Sequence, residues 1–368
     1  VSRSSKSART SPWLATSILG ACAALLSSCA LVLGFEEHEP YPADGGGASA
    51  SSSASSSSST SVSSGPGGSG GASNTAPFEA PVTLASEQMG PSFIVLDSST
   101  VFWVNDGLSE GQSQIMKVAK SGGEPAQIAF NQPALHGLGI TPTSVWSAVQ
   151  HTLATYSTIS TYGKGGNTMW PLESYKQNSA NFLGITMQGT VIAWSSNEGQ
   201  GTIFRGDTQG GARVPVATMQ GQVVSLALDG GTTYWVSPSL LAIMRADTGA
   251  PEVFAGDQMS PTDLVVDTDD IYWTCNDGTV KRLAKSSPSG QPVVITSDAI
   301  SPRGIAVDTS YVYWAEAASG GRVRAAPKGG GPIVTLATGE YPFDVAVDAD
   351  TVYATMQGDG SIVAIRKK

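Results

Sequence analysis

Seven copies of a unit of about 40 residues, each reading as short apolar strands separated by Gly, Asp and Ser turns, predict an all-β protein. The expected architecture is a seven-bladed β-propeller with four-stranded antiparallel blades. Three observations carry this reading. The spacing Asp97…Trp103 recurs as Asp229…Trp235, Asp267…Trp273 and Asp308…Trp314, and in the last copy Asp348 is followed at the same distance by Ala354. No long segment has a 3.6-residue apolar period, which excludes a helical bundle. The last copy stops after its third strand, and a match to the missing fourth lies ahead of the first copy.

The unit is clearest in residues 301–337. Gly304-Ile305-Ala306-Val307 is an apolar run closed by Asp308, and Thr309 and Ser310 form a turn. Tyr311-Val312-Tyr313-Trp314-Ala315 is a run of β-branched and aromatic residues, as a buried strand requires. Arg322-Val323-Arg324-Ala325 alternates polar with apolar, and Lys328-Gly329-Gly330-Gly331 leads into Pro332-Ile333-Val334-Thr335-Leu336. One such meander cannot bury both of its faces alone, so it must stack on copies of itself. Two degenerate copies, Gly139-Ile140-Thr141…Trp146 and Gly184-Ile185-Thr186…Trp194, complete the series, with each Trp expected at one repeat position. The seventh copy ends in Ser361-Ile362-Val363-Ala364-Ile365, and Pro81-Val82-Thr83-Leu84-Ala85 matches Pro332-Ile333-Val334-Thr335-Leu336. The N-terminal strand (78–88) is therefore expected to close the last blade, removing two exposed sheet edges.

The runs Ile271-Tyr272-Trp273-Thr274 and Val312-Tyr313-Trp314-Ala315, each after an apolar strand ending in Val-Asp, resemble YWTD and NHL-type propeller repeats. The resemblance covers about residues 78–368 and implies architecture more than activity, because such propellers host binding modules, receptors and a few enzymes. YWTD propellers usually have six blades against the seven counted here, and the motif's Asp is replaced by Cys275 or Glu316.

Ahead of the propeller, residues 1–29 read as an export signal. Arg3, Lys6 and Arg9 give a positive start, and Trp13 to Ser28 is apolar and small-residue rich but short for a bilayer span. The segment ends in Leu26-Ser27-Ser28-Cys29, which looks like a bacterial lipobox with Cys29 as the lipidated residue; Leu19-Gly20-Ala21-Cys22 is a poorer alternative. Ala30 after Cys29 favours the outer membrane or cell surface over the inner membrane. Acyl chains add about 0.8 kcal/mol of membrane affinity per buried CH₂. Residues 30–77, acidic at Glu36, Glu37 and Glu39 and then almost wholly Gly, Ser and Ala, are expected to be a disordered tether. Cys275 is then the one cysteine of the propeller, unable to form an intradomain disulfide. A formal net charge of −10 argues against nucleic acid as a partner.

The repeated Asp residues sit at strand ends before short turns, where a carboxylate accepts backbone N–H groups; capping is the expected role, with metal binding the alternative. The repeated Trp residues are expected to pack between blades rather than to stack a ligand. In a propeller, the loop leading into each innermost strand and the loop between second and third strands open on one face around the axis. This top face collects Ser92, His136, Asn181, Thr262, Asp263, Arg303 and Asp344 from the first loops. The second loops add Asn105, Asp106, His151, Asn197, Glu198, Asn276, Asp277, Glu316 and Asp359. Together they predict a polar, net acidic rim suited to a cation, a sugar, a polar peptide or a protein. His136 and His151 fall in one blade, and with Glu198 or Asn181 they could hold a divalent cation or act as a base. Streptogramin lyases and lactonase propellers work on this face, so a metal-assisted lyase or lactonase is the alternative to a binding module. No P-loop, H-E-x-x-H or G-x-S-x-G motif is present. A monomer without a resident cofactor is expected.

Overall fold

The computed structural model describes residues 77–107, 111–151, 156–166, 169–171, 177–178, 182–197, 200–247 and 249–368. The signal segment, Cys22, Cys29 and the tether lie outside these residues, as do Asn181 and Glu198. Seven antiparallel sheets form a ring: each innermost strand neighbours those of the blades before and after it, and the seventh neighbours the first. No helix among the described residues is long and apolar enough to cross a membrane.

Blade six shows the plan. Its inner strand Pro302–Val307 is followed by Tyr311–Glu316, Gly321–Pro327 and Val334–Gly339, each paired with the next. Proline opens four of the inner strands, at Pro91, Pro261, Pro302 and Pro342, where a missing N–H costs no ladder bond. Blade two departs from the plan. Its outer position is held by two short pieces, Met169–Pro171 and Gln177–Asn178, both paired with Tyr156–Gly163.

Blade seven comprises Pro342–Val347, Thr351–Met356 and Ser361–Arg366, with Val82–Ala85 as its outer strand. Val82 lies opposite Ala364 and Thr83 opposite Val363. The segment is held at both ends: Phe78 bridges Lys367, and Gln88 N donates to Gly360 O at 2.8 Å. Phe78 also buries its ring edge-on against Tyr311 and Tyr313 of blade six, at 5.3 and 6.2 Å.

The core is not one mass but seven apolar clusters, one at each blade junction. Trp273 of blade five packs with Tyr234 and Phe254 of blade four. Trp314 of blade six packs with Tyr272 and Val280 of blade five. Trp103 of blade one meets Tyr353 and Ile362 of blade seven. These rings pack between blades as expected, each facing the preceding one, but Trp146 does not face that way. It sits with Ile185 and Ile192 of the following blade. The cause is register: Thr141 takes the turn position of the repeated Asp, and Trp146 follows it by five residues rather than six. A one-residue shift in a strand moves a side chain to the opposite face.

The repeated aspartates cap their turns as expected. Asp97 Oδ1 accepts from Ser99 N and Thr100 N at 2.9 and 2.8 Å, and Asp267, Asp308 and Asp348 repeat the arrangement. The second oxygen has a partner that the sequence did not announce, a lysine from the following blade. Lys164 reaches Asp97 at 2.8 Å, Lys328 reaches Asp267 at 2.6 Å, Lys367 reaches Asp308 at 2.6 Å and Lys120 reaches Asp348 at 2.7 Å. Lys285 joins Asp229 in the same way at 2.5 Å. Several of these ammonium groups also stand over an aromatic ring of the preceding blade, as Lys367 does over Tyr313 at 5.7 Å. Burial alone would raise the Asp308 carboxyl, but Lys367, Tyr313 and two backbone amides hold it below its usual value. The face carrying the inner turns is thus stitched together by ion pairs between blades.

Candidate binding face around the axis

The opposite face, where the inner strands begin, is built on a repeated irregularity. In the inner strands of blades one, five, six and seven the pairing register slips by one just after the opening proline, a β-bulge. Blades two and three show the same slip, between His136 and Gly139 and between Phe182 and Gly184. A bulge leaves a backbone amide unpaired and redirects the side chains beside it. Acidic residues of neighbouring blades answer two of these amides. Asp344 of blade seven accepts from Ile94 N of blade one at 3.1 Å, and Asp263 of blade five accepts from Ile305 N of blade six at 3.0 Å. Asp263 also accepts from Ser225 Oγ of blade four, at 2.6 Å. Between them, blade six carries Gly304. A Cβ there would lie 2.6 Å from the Asp344 Cα, so the glycine makes room for that residue.

These carboxyls are poised to hold protons. Burial pushes Asp263 up to about 6, and burial together with the Asp263 charge pushes Asp344 up to about 7. Asp106, which accepts from Ser92 Oγ at 3.0 Å and Gln357 Nε2 at 3.4 Å, is raised by burial to about 6. Arg303 is half-buried with its guanidinium 6.0 Å from the Phe343 ring, and burial lowers its pKa. Phe343 in turn meets Phe93 edge-on at 5.6 Å.

Other residues expected on the rim are placed differently. Glu316 is 0 % exposed. Its oxygens accept from Trp314 Nε1 at 3.1 Å, Arg324 Nη1 at 3.1 Å and Arg322 Nε at 2.6 Å, so it belongs to the junction of blades rather than to the rim. Asn105 is buried as well, accepting from Trp103 Nε1 at 3.0 Å and donating to Gln88 Oε1 at 3.1 Å. Both occupy the last position of a second strand, where the side chain turns inward. Cys275 fills the same position in blade five, buried, with burial raising its thiol to about 11.

The histidines do not converge. His136 Nε2 lies 3.1 Å from Gln150 Oε1, whereas His151 Nε2 lies 3.3 Å from Thr158 Oγ1. Gln150 and His151 are consecutive strand residues and point to opposite faces of the sheet, so blade two separates the two rings. Burial lowers the His136 pKa, against the opposing hydrogen bond to Gln150, and so favours the neutral imidazole. Asn197, Asn276, Asp277 and Asp359 are exposed on the rim. Thr262 and Thr274 are joined to each other and to the Pro302 and Arg303 carbonyls, another tie between blades five and six. Among the described residues no three His, Cys, Asp or Glu side chains are grouped as a metal site.

Sequence reasoning looked for polar groups on this face and passed over its apolar ones. Met89, Met219, Met259, Ile300 and Tyr341 each stand exposed in the connection between one blade's outer strand and the next blade's inner strand. Phe130 is exposed near the end of blade one's outer strand, so five of the connections, and the strand end before a sixth, present a large apolar side chain. Leu240 and Leu241 add two more from the loop between second and third strands of blade four. Met219, Leu241 and Tyr341 hold these positions with φ of 60, 50 and 51°, a left-handed backbone that costs such residues energy and persists where the surroundings impose it. Part of the signal was in the sequence: Met89, Met259, Ile300 and Tyr341 stand one or two residues before the opening Pro of an inner strand.

No family model matches the chain, and no curated protein matches it. Solved structures do. The WD40 β-propeller domain of Doa1 is similar over 79 % of this chain and 97 % of its own length, at 14 % identity and a TM-score of 0.61. The computationally designed protein Ika8 is similar over 78 % of this chain and 98 % of its own, at 13 % identity and a TM-score of 0.54. At such identities the likeness is one of fold alone: this chain is an all-β, seven-bladed propeller.

Proposed function

We propose that the chain is a lipoprotein of the bacterial envelope whose propeller, of YWTD/NHL-like repeat type, works as an interaction module through its top face. One observation carries the reading: large apolar side chains stand in solvent at the same connection of blade after blade. Scattered single exposures are ordinary, but a repeated set on one face marks a surface that a partner covers. Three of the set are methionines, whose flexible thioethers adapt to a partner's shape. On the opposite face the repeated aspartates are paired with lysines, and the described residues there offer no such apolar set. Cys29 supplies the anchor at the outer membrane or cell surface, and residues 30–77 hold the propeller clear of the lipid.

Photo-crosslinking in cells tests this. A benzoylphenylalanine at position 259 or 300 of the full chain is expected to give a discrete adduct, and one at position 310, on the opposite face, to give none. Equal labelling from both faces, or none from the top, overturns the reading. The anchor is checked separately: Cys29→Ala should abolish acyl labelling and release the chain from the membrane fraction, whereas Cys22→Ala should change neither.

A further inference from the structure

We infer that the partner of the top face is a protein segment carrying basic residues interspersed with apolar ones. The inference rests on the proposal that this face is the one that binds, and adds the chemistry of what it takes. Four of the ring's apolar side chains come with an acid, whereas Met219 and Phe130 do not. Glu87 precedes Met89, Asp257 precedes Met259, Asp298 precedes Ile300 and Glu340 precedes Tyr341, by one or two residues. The loops between second and third strands add Asp277 and Asp359, both exposed.

The contrast with the opposite face is what gives the pattern meaning. There each repeated aspartate is bound by a lysine. On the top face, Glu87, Asp257, Asp277, Glu340 and Asp359 have no basic partner among the described residues. Asp277 and Asp359 accept only from Thr279 and from the Glu340 amide. The cations nearby are directed inward. Arg322 and Arg324 are bound to the buried Glu316, and Arg324 also pairs with Asp298 at 2.9 Å, the one acid of the ring that is compensated; Lys281 reaches Gln258 at 3.0 Å and Arg303 is half-buried beside Phe343. The face therefore presents apolar side chains within an uncompensated negative field.

Such a surface selects its occupant. An anionic lipid surface is repelled by the acids beside Met89, Met259, Ile300 and Tyr341 and by Asp277 and Asp359. A second copy of this chain would bring an acidic rim against an acidic rim, at a net charge of −10 per chain. A basic amphipathic segment satisfies both components: its apolar side chains cover the ring while its Lys or Arg groups meet Glu87, Asp257 and Asp277. Electrostatic complementarity of this kind sets the association rate and the choice of partner, and it weakens with salt.

The test uses the full chain and three labelled synthetic peptides read by fluorescence anisotropy. One alternates Lys and Leu, one alternates Glu and Leu, and one alternates Lys and Ser. The Lys/Leu peptide is expected to bind saturably, at least tenfold more tightly than either of the others, and to lose affinity between 50 and 300 mM salt. Met259→Ser/Ile300→Ser should weaken it about tenfold and Asp257→Asn/Asp277→Asn about threefold or more. Val253→Ser/Val293→Ser, on exposed outer strands, should leave it unchanged. If Met259→Ser/Ile300→Ser weakens all peptides alike and Lys/Leu has no advantage over Glu/Leu, the face binds but the basic partner is refuted. If neither top-face variant changes binding, the face itself is refuted. Binding to phosphatidylglycerol vesicles in preference to the Lys/Leu peptide would instead identify a lipid surface and overturn the inference.

Discussion

Raising the pH from 5 to 8 should destabilise the propeller, and the loss should trace to Asp263 and Asp344. Both carboxyls are raised from 3.8 in the fold, to about 6 and about 7. A raised acid holds its proton more firmly folded than unfolded. Its contribution is therefore fully present below about pH 4 and is lost as the pH climbs through the folded value. Each pKa unit corresponds to about 1.4 kcal/mol, so Asp263 alone accounts for ~3 kcal/mol. Asp344 feels the Asp263 charge, so the two titrate as a pair, and roughly 3–5 kcal/mol is the sensible range for both. Other groups titrate as well. Asp106 adds to the loss, while His136, held neutral by burial, contributes stability that grows as the pH rises. Comparison with Asp263→Asn/Asp344→Asn cancels these terms. An Asn oxygen can still accept from Ile94 N and Ile305 N as the protonated acid does, so the variant should be more stable than wild type at pH 8, by a margin that narrows as the pH falls to 5. Urea unfolding at the two pH values measures this. A wild-type midpoint that does not fall with pH, or a double variant that keeps the same slope, would refute the reasoning.

Three substitutions probe other parts of the structure. Phe78→Ala empties the aromatic seat between blades six and seven that holds the closing segment, and should cost about 3 kcal/mol in urea unfolding and expose residues 78–88 to protease. Glu316→Gln leaves Arg322 and Arg324 beside a neutral side chain at a buried site and should cost about 3 kcal/mol by the same measurement, although the sequence places position 316 in a loop-like rim. Gly304→Ala forces a Cβ against Asp344 and should lower the thermal midpoint by several degrees while disturbing the amide resonance of Ile94 in NMR spectra.

Much of this architecture was legible because the repeat is chemical as well as numerical. A strand ending in Asp, a turn, then an aromatic strand fixes two strands and the turn between them, and the match of 81–85 to 332–336 located the strand that completes the ring. What was not legible depends on relations between blades or on single-residue shifts. The lysine of one blade that binds the aspartate of another is separated from it by 61 residues in Lys328–Asp267 and by 228 in Lys120–Asp348. Counting along the chain placed Glu316 and Asn105 on the rim, yet the second strand extends one residue further than the apolar run suggested and turns both side chains inward. Trp146 matches the other tryptophans in residue type but not in register. The β-bulges that aim Asp263 and Asp344 leave no mark in a pattern of period two. The apolar ring is spread along the chain at about one residue per blade, and a lone exposed Met or Ile means little until the fold brings several of them to one side.

Methionine oxidation by dilute peroxide, read by mass spectrometry on the full chain with and without the Lys/Leu peptide, tests the central claim most directly. In the free protein Met89, Met219 and Met259, exposed by 38, 69 and 58 %, should oxidise readily, while the buried Met244 and Met356 resist. With the peptide bound, those on the top face should become protected together. Rapid oxidation of Met244 and Met356 in the free chain would contradict the ring of blades, and a bound peptide that leaves Met89, Met219 and Met259 as reactive as before would contradict the face assigned to it.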